Sequence, residues 1–224
     1  MANEMTLTWM RPYALLLVAT VFSIAGCAPR KPAHHELIVA DGDILALSDS
    51  LEALIGDGRD TPADREYAYE IAHRRTDDTA SVQFARAAIT GRLVQQKGLL
   101  AADLVSDIER SARRSRELDP NFRNGAATRL LGTLYVMAPA PLLQHGDSET
   151  GVELLEGLAE ARPDVPENRL RLAEAYIALS DPDPARSHLC FCLEHIGALR
   201  RDDQQLLAQL IANVGAPDCS RTKP

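Results

Sequence analysis

Apolar residues along most of this chain recur at spacings of three and four, and no stretch keeps the strict apolar/polar alternation of a half-buried strand. A sequence patterned in this way buries its apolar side chains by packing helix on helix, so it predicts an all-α fold. The periodicity places helices near residues 41–56, 62–75, 79–96, 99–118, 124–137, 148–161, 166–180, 183–196 and 200–214. Thr61-Pro62, Asp164-x-Pro166 and Asp183-Pro184 each set an oxygen-bearing residue shortly before a proline, as helix starts do. Leu100, Leu104, Ile108 and Ala112 form one i+4 stripe, and Leu206, Leu207, Leu210, Ile211 and Val214 form another, both expected to face the core.

Composition narrows the function. The 224 residues are 46% apolar and 25% charged, enough for one good-sized core and without the bias of a disordered chain. The formal charge of −8 argues against nucleic acid as a partner, because phosphate neutralisation needs a positive stripe. Arg110, Arg113, Arg114 and Arg116 make a local basic face that either touches an acidic surface or is simply solvated. No glycine-rich phosphate loop, apolar carboxylate pair or nucleophile with a credible base is evident, so the chain is expected not to be an enzyme.

Residues 13–22 form an uncharged apolar run after Arg11, too short for a stable membrane span of about 20 residues, and followed by the small residues Ser23, Ala25 and Gly26. This reads as a cleaved leader. Its end, Ile24-Ala25-Gly26-Cys27, resembles the lipobox of bacterial lipoproteins, which implies acylation of Cys27 and a durable membrane anchor. Ala28, rather than Asp, next to the anchor resembles the outer-membrane sorting pattern, with the protein facing the periplasm. The expected organisation is a signal peptide at 1–26, an acylated cysteine and tether at 27–38, and a helical repeat domain at 39–224.

The most specific internal signal is a repeat. Leu131-Gly132-x-x-Tyr135 recurs as Leu172-Ala173-x-x-Tyr176, 41 residues on (131 to 172, 135 to 176). A large, a small and an aromatic residue in this order fit the first helix of a tetratricopeptide hairpin, where the small residue admits the second helix. The predicted architecture is therefore antiparallel tetratricopeptide-like hairpins stacked in a right-handed superhelix. The usual period is about 34, and the excess falls in residues 138–147, where Pro139 and Pro141 stiffen a segment carrying Leu142, Leu143 and His145. The two leucines either tuck back onto the helices or, with Tyr135 and His145, form a partner- or ligand-facing patch.

Residues 119–194, with Leu118 just before them, carry Asp119-Pro120-x-Phe122, Gly125-Ala126-Ala127-x-Arg129-Leu130-Leu131-Gly132, the proline-rich insert, Gly146-Asp147 and Pro163-Asp164-x-x-Glu167-Asn168-Arg169-Leu170-x-Leu172-Ala173-Glu174-x-Tyr176. This run, about a third of the chain, resembles the T component (TatT) of TRAP transporters, a family of helical tetratricopeptide-like lipoproteins. The resemblance implies a non-catalytic envelope protein that associates with the periplasmic solute-binding P component and forms a homo-oligomer, a trimer in the family. The alternative is an outer-membrane scaffold for pilus, secretin or cell-wall assembly that holds a peptide in its concave groove.

In an oxidising compartment Cys190, Cys192 and Cys219 remain beside Cys27. Cys192 suits a small core position, and a tail turning after Pro217 brings Cys219 toward Cys190, the expected disulfide. His188, Cys192 and His195 share one helix face, but three ligands on one helix make a poor tetrahedron, and no metal or other cofactor is expected. Acylation predicts that the native protein sediments with membranes and incorporates labelled palmitate, and that Cys27→Ala moves it to the soluble periplasmic fraction. Label retained by Cys27→Ala would contradict the assignment.

Overall fold

A computed structural model describes residues 34–40 and 42–221 of the chain. The leader, Cys27 and Ala28 lie outside the described residues. Among the described residues ten α-helices run in order: α1 (His35–Ala40), α2 (Ile44–Gly56), α3 (Pro62–Arg74), α4 (Ala80–Lys97), α5 (Val105–Leu118), α6 (Ala126–Met137), α7 (Ser148–Ala161), α8 (Pro166–Ala178), α9 (Pro182–Glu194) and α10 (Arg201–Val214). The fold is all-α, with no strand among the described residues. None of these helices is long and apolar enough to cross a membrane.

Several boundaries differ from the sequence expectation, each for a local reason. Residues 35–38, expected in the tether, begin α1, whose Leu37 is fully buried in the first core cluster. The stripe expected to start at Leu100 begins later. Gly98, at φ 57°, ends α4, and a kinked 3-10 segment, Gly98–Leu104, leaves Leu100 91% exposed while Val105, Ile108 and Ala112 turn inward. Of the three oxygen-before-proline signals, only Thr61 acts as a side-chain cap. α8 starts after Val165 and α9 after Asp181, neither with a side-chain cap bond.

The helices pair as antiparallel hairpins, α2/α3, α4/α5, α6/α7 and α8/α9, followed by the unpaired α10. The first helices of successive hairpins also touch one another, α2 to α4, α4 to α6 and α6 to α8; α10 then packs on α8 and returns to α2. The inner layer is thus a ring of five helices, with α3, α5, α7 and α9 outside it. Four apolar clusters fill the space between the layers, the largest built on Leu37, Leu47, Leu51 and Ile89 and the next on Leu170, Leu189, Leu199 and Leu207. Each fully buried leucine of this kind contributes about 1.5–3 kcal/mol.

The repeat marks the tightest packing. A Cβ on Gly132 would stand 2.6 Å from Leu155 Cγ and 2.9 Å from the Gly151 carbonyl oxygen, so α6 and α7 cross where both lack a side chain. In the second copy Leu172 and Ala173 are buried between α8 and its neighbours. At the C-terminal end Cys190 of α9 is bonded to Cys219, 29 residues on, with Cα atoms 5.4 Å apart, and this pins the tail to the outer layer. Closing a loop of that length stabilises by about 3 kcal/mol in the chain-entropy model.

One buried carboxylate secures the start of the domain. Asp64 completes a capping box with Thr61 and also accepts from the His34 backbone N–H at 2.7 Å and lies 2.8 Å from its Nδ1. Burial pushes the Asp64 carboxyl up, but the donors of Thr61 and His34 together outweigh it and hold it below the ordinary aspartate value. The ionised form is favoured by folding, so this stabilisation is present above the ordinary aspartate range and fades as pH falls toward the lowered folded value. Asp64→Ala is expected to cost about 2 kcal/mol at neutral pH, read by urea melts. Its stability should also fall less steeply with acid than that of the wild type; parallel acid profiles would contradict the assignment.

Candidate functional site

The inner faces of the ring carry charge rather than leucine. Glu52 of α2 accepts from Arg92 of α4 through both carboxylate oxygens, the Nε bond at 2.8 Å, and Arg92 Nη2 also donates to Asp202 of α10 at 2.9 Å. Arg171 of α8 donates to Glu174 at 2.9 Å and to Asp203 of α10 at 2.7 Å. Arg200, just before α10, stands 3.5–3.7 Å from carboxylates of Glu52, Asp202 and Asp203. Asp203 is almost wholly buried, while Glu52 and Asp202 border a cleft at the α2–α10 seam with Asp49, Ala53, Asp57 and Arg201. Burial pushes the Arg92 and Arg171 guanidiniums down, yet their carboxylate partners outweigh it and raise both.

Arg129 of α6 is the exception. Its Nη1 donates to Asn168 Oδ1 of α8 at 2.6 Å, and among the described residues it forms no ion pair with a carboxylate. Burial pulls its guanidinium down to about 10, and the pull of Glu167 does not offset this; Arg171, Asp203 and Arg200 also act on it, which sets it in the same interior. Three buried side-chain atoms of the described residues lack hydrogen-bond partners. Asn168 is fully buried and its Nδ2 makes no hydrogen bond, and the same holds for Thr133 Oγ1 on α6 and Gln96 Oε1 on α4.

The insert at 138–147 is held from beneath. Glu109 of α5, 1% exposed, accepts from the Tyr135 hydroxyl at 2.9 Å and from the backbone N–H groups of Gln144 and His145, each at 2.8 Å. This corrects the expectation for Tyr135: it is buried, its ring packed against Gly146 and its hydroxyl spent on Glu109, so it belongs to no outward patch. Burial and then the Glu109 carboxylate raise the Tyr135 phenol. Leu143 is partly buried against the Leu131 cluster and so tucks back; Leu142 is half-buried, and the His145 side chain is 48% exposed.

The other predicted residues separate. Cys190 and Cys219 form the disulfide. Cys192 is buried, its thiol donating to the Pro166 carbonyl and pushed up to about 12 by burial. His195 stacks on Phe191 at the end of α9, and His188 lies beside Arg169 and Tyr176. Among the described residues no group of three or more His, Cys, Asp or Glu is set to hold a metal. In the basic run, Arg110 pairs with Asp107 and Arg114 with Asp78 and Glu117. The interior charges were missed in the sequence, where nothing sets Arg129 and Asn168 apart from the other polar residues of their helices.

No protein-family model matches the chain, and no curated protein is significantly similar to it.

Glu109→Ala would leave three donors without their acceptor, and is expected to destabilise by about 3 kcal/mol in urea melts and to speed proteolytic cleavage within residues 138–147. Tyr135→Phe should cost only about 1 kcal/mol and leave cleavage of the insert unchanged. An insert equally protected in Glu109→Ala would mean that something else holds it.

Proposed function

We propose that this chain is an outer-membrane lipoprotein that serves a TRAP-type solute uptake system as its T component, docking the periplasmic solute-binding protein without catalysing a reaction. The observation that carries the reading is the segment 119–194, whose TatT-like motifs fall on two consecutive hairpins, α6/α7 and α8/α9, with the proline-rich insert fastened to Glu109. A docking surface needs a fixed shape, and an insert tied through two backbone N–H groups to a buried carboxylate has one. The non-catalytic part of the reading draws support from the interior carboxylates, which are engaged by arginines, and from the Cys192 thiol, whose burial disfavours the nucleophilic thiolate.

The competing scaffold for envelope assembly would hold an extended peptide in an open concave groove, and the packing of α10 against α2 spans the position such a groove would occupy. Crosslinking pull-down of the tagged, lipidated protein from the native envelope tests the proposal. Recovery of a periplasmic solute-binding protein, lost when the exposed His145 is replaced in His145→Glu, is the expected outcome. Recovery of pilus, secretin or wall-assembly proteins in its place would overturn it.

A further inference from the structure

The short helix α1 is buried on one side and bare on the other. Leu37 is fully enclosed in the first core cluster, whereas Ile38 and Val39, one and two steps of roughly 100° further round the helix, are 45% and 71% exposed. Eight large apolar residues are exposed among the described residues, and two of them stand side by side on this one helix, the shortest of the ten. Such a face gains from any apolar cover that removes it from water. What lies within reach of it is set by the chain. His34, just before α1, is clasped to the buried Asp64 through its backbone N–H at 2.7 Å and its Nδ1 at 2.8 Å, so the segment leading back to Cys27 starts from a fixed point on the domain. Cys27 precedes His34 by seven residues (34 − 27), which span at most about 25 Å when fully extended. We propose that the face of α1 bearing Ile38 and Val39 docks on the lipid surface in which Cys27 is anchored, an inference that rests on the acylation of Cys27.

Reach and charge single out lipid over a further protein. A tether this short presents α1 to the bilayer at an effective concentration on the order of millimolar, so even a weak apolar contact is populated, whereas a second protein has to arrive from solution. The residues between anchor and clasp, Ala28 to Ala33, include Arg30 and Lys31 and no acid, a composition drawn toward anionic headgroups. On α1 itself the one acid is compensated, since Glu36 accepts from Arg59 Nη2 at 2.9 Å. Asp43, at the start of α2, turns its carboxylate to the N–H groups of Leu45 and Ala46. Ile38 and Val39 have no polar side-chain atom to strand, and at roughly 1.5 Å per residue α1 is about 9 Å long, which suits a helix lying at the interface and not one that spans it. Acyl chains alone leave a domain free to turn on its tether. A second point of attachment at α1 sets which side of the domain faces the membrane.

The test places a reporter on that face. Trp9, the sole tryptophan, precedes Cys27, so Val39→Trp gives the exported chain a single tryptophan on α1, and Leu193→Trp gives a control at an exposed position on α9. Each acylated chain is reconstituted in vesicles of phosphatidylethanolamine with a minor share of phosphatidylglycerol, both carrying brominated acyl chains. Bromine should quench about half or more of the Val39→Trp emission and leave Leu193→Trp within about a tenth of its value. Because tryptophan itself seeks the interface, hydrogen exchange is followed in parallel on the unsubstituted chain. The α1 amides should exchange severalfold more slowly on vesicles than in the soluble Cys27→Ala form, and Ile38→Ser with Val39→Ser should abolish the difference. A separate arm supplies the anchor chemically. The chain from Cys27 onward, which contains all four apolar clusters, is coupled through the Cys27 thiol to a maleimide lipid, the other cysteines being the disulfide and the buried Cys192. Quenching in this arm from a chain that carries no acyl group in its native form would overturn the acylation and support the docking. A chain anchored by either route whose Val39→Trp stays unquenched, or is quenched no more than Leu193→Trp, overturns the docking. So does Val39→Trp emission that follows protein density on the vesicle and ignores brominated lipid, which would place a second copy on this face.

Discussion

The architecture turns on one guanidinium. Arg92 joins three inner helices at once, accepted by Glu52, 40 residues earlier on α2, and by Asp202, 110 residues later on α10. An apolar contact would let α10 slide or rotate against α2, whereas a forked donor between two carboxylates accepts only one arrangement. The net stabilisation from such a cluster is small, because the desolvation of its charges consumes most of the attraction. Its effect is on register: it determines where the last helix meets the first. Asp202 and Asp203 stand in the first turn of α10, where the helix dipole also favours negative charge, so the same residues close the ring and stabilise the helix that closes it.

Around that point the molecule divides its chemistry by layer. Leucine and alanine fill the space between inner and outer helices, and glycines at 132 and 151 let α6 and α7 approach closely. The inner faces carry the charges instead. Glu109 follows the same logic in the outer layer, where a single buried carboxylate organises an irregular segment by giving its N–H groups an acceptor. In both places the sequence uses a buried ion or acid to specify a geometry that apolar packing alone leaves loose.

How much of this could be read in advance follows from the range of each interaction. Helices declare themselves through spacing, so α3, α6, α7, α8 and α10 fall close to their predicted limits, and the Leu207–Leu210 stripe faces the core as expected. The Gly132–Tyr135 pattern was legible because a hairpin repeats it. The kink after Gly98 was not, because a lone glycine within an otherwise helical pattern gives no sign of the φ it will adopt. Tyr135 was misplaced because its acceptor, Glu109, lies 26 residues away on another helix. Arg129 and Asn168 were invisible for the same reason: each is an ordinary helix residue until α6 and α8 are side by side.

Closure of the inner layer also bears on how such a chain can change over generations. An open solenoid tolerates duplication or loss of a repeat, since each unit meets only its neighbours and a new one lengthens the array. Here α10 meets α2, so a duplicated hairpin would have to widen the whole circle and part Arg92 from Asp202. Growth by copying units is therefore blocked at the seam, and novelty is confined to insertions in connecting segments. The ten residues between α6 and α7 are an insertion of that kind.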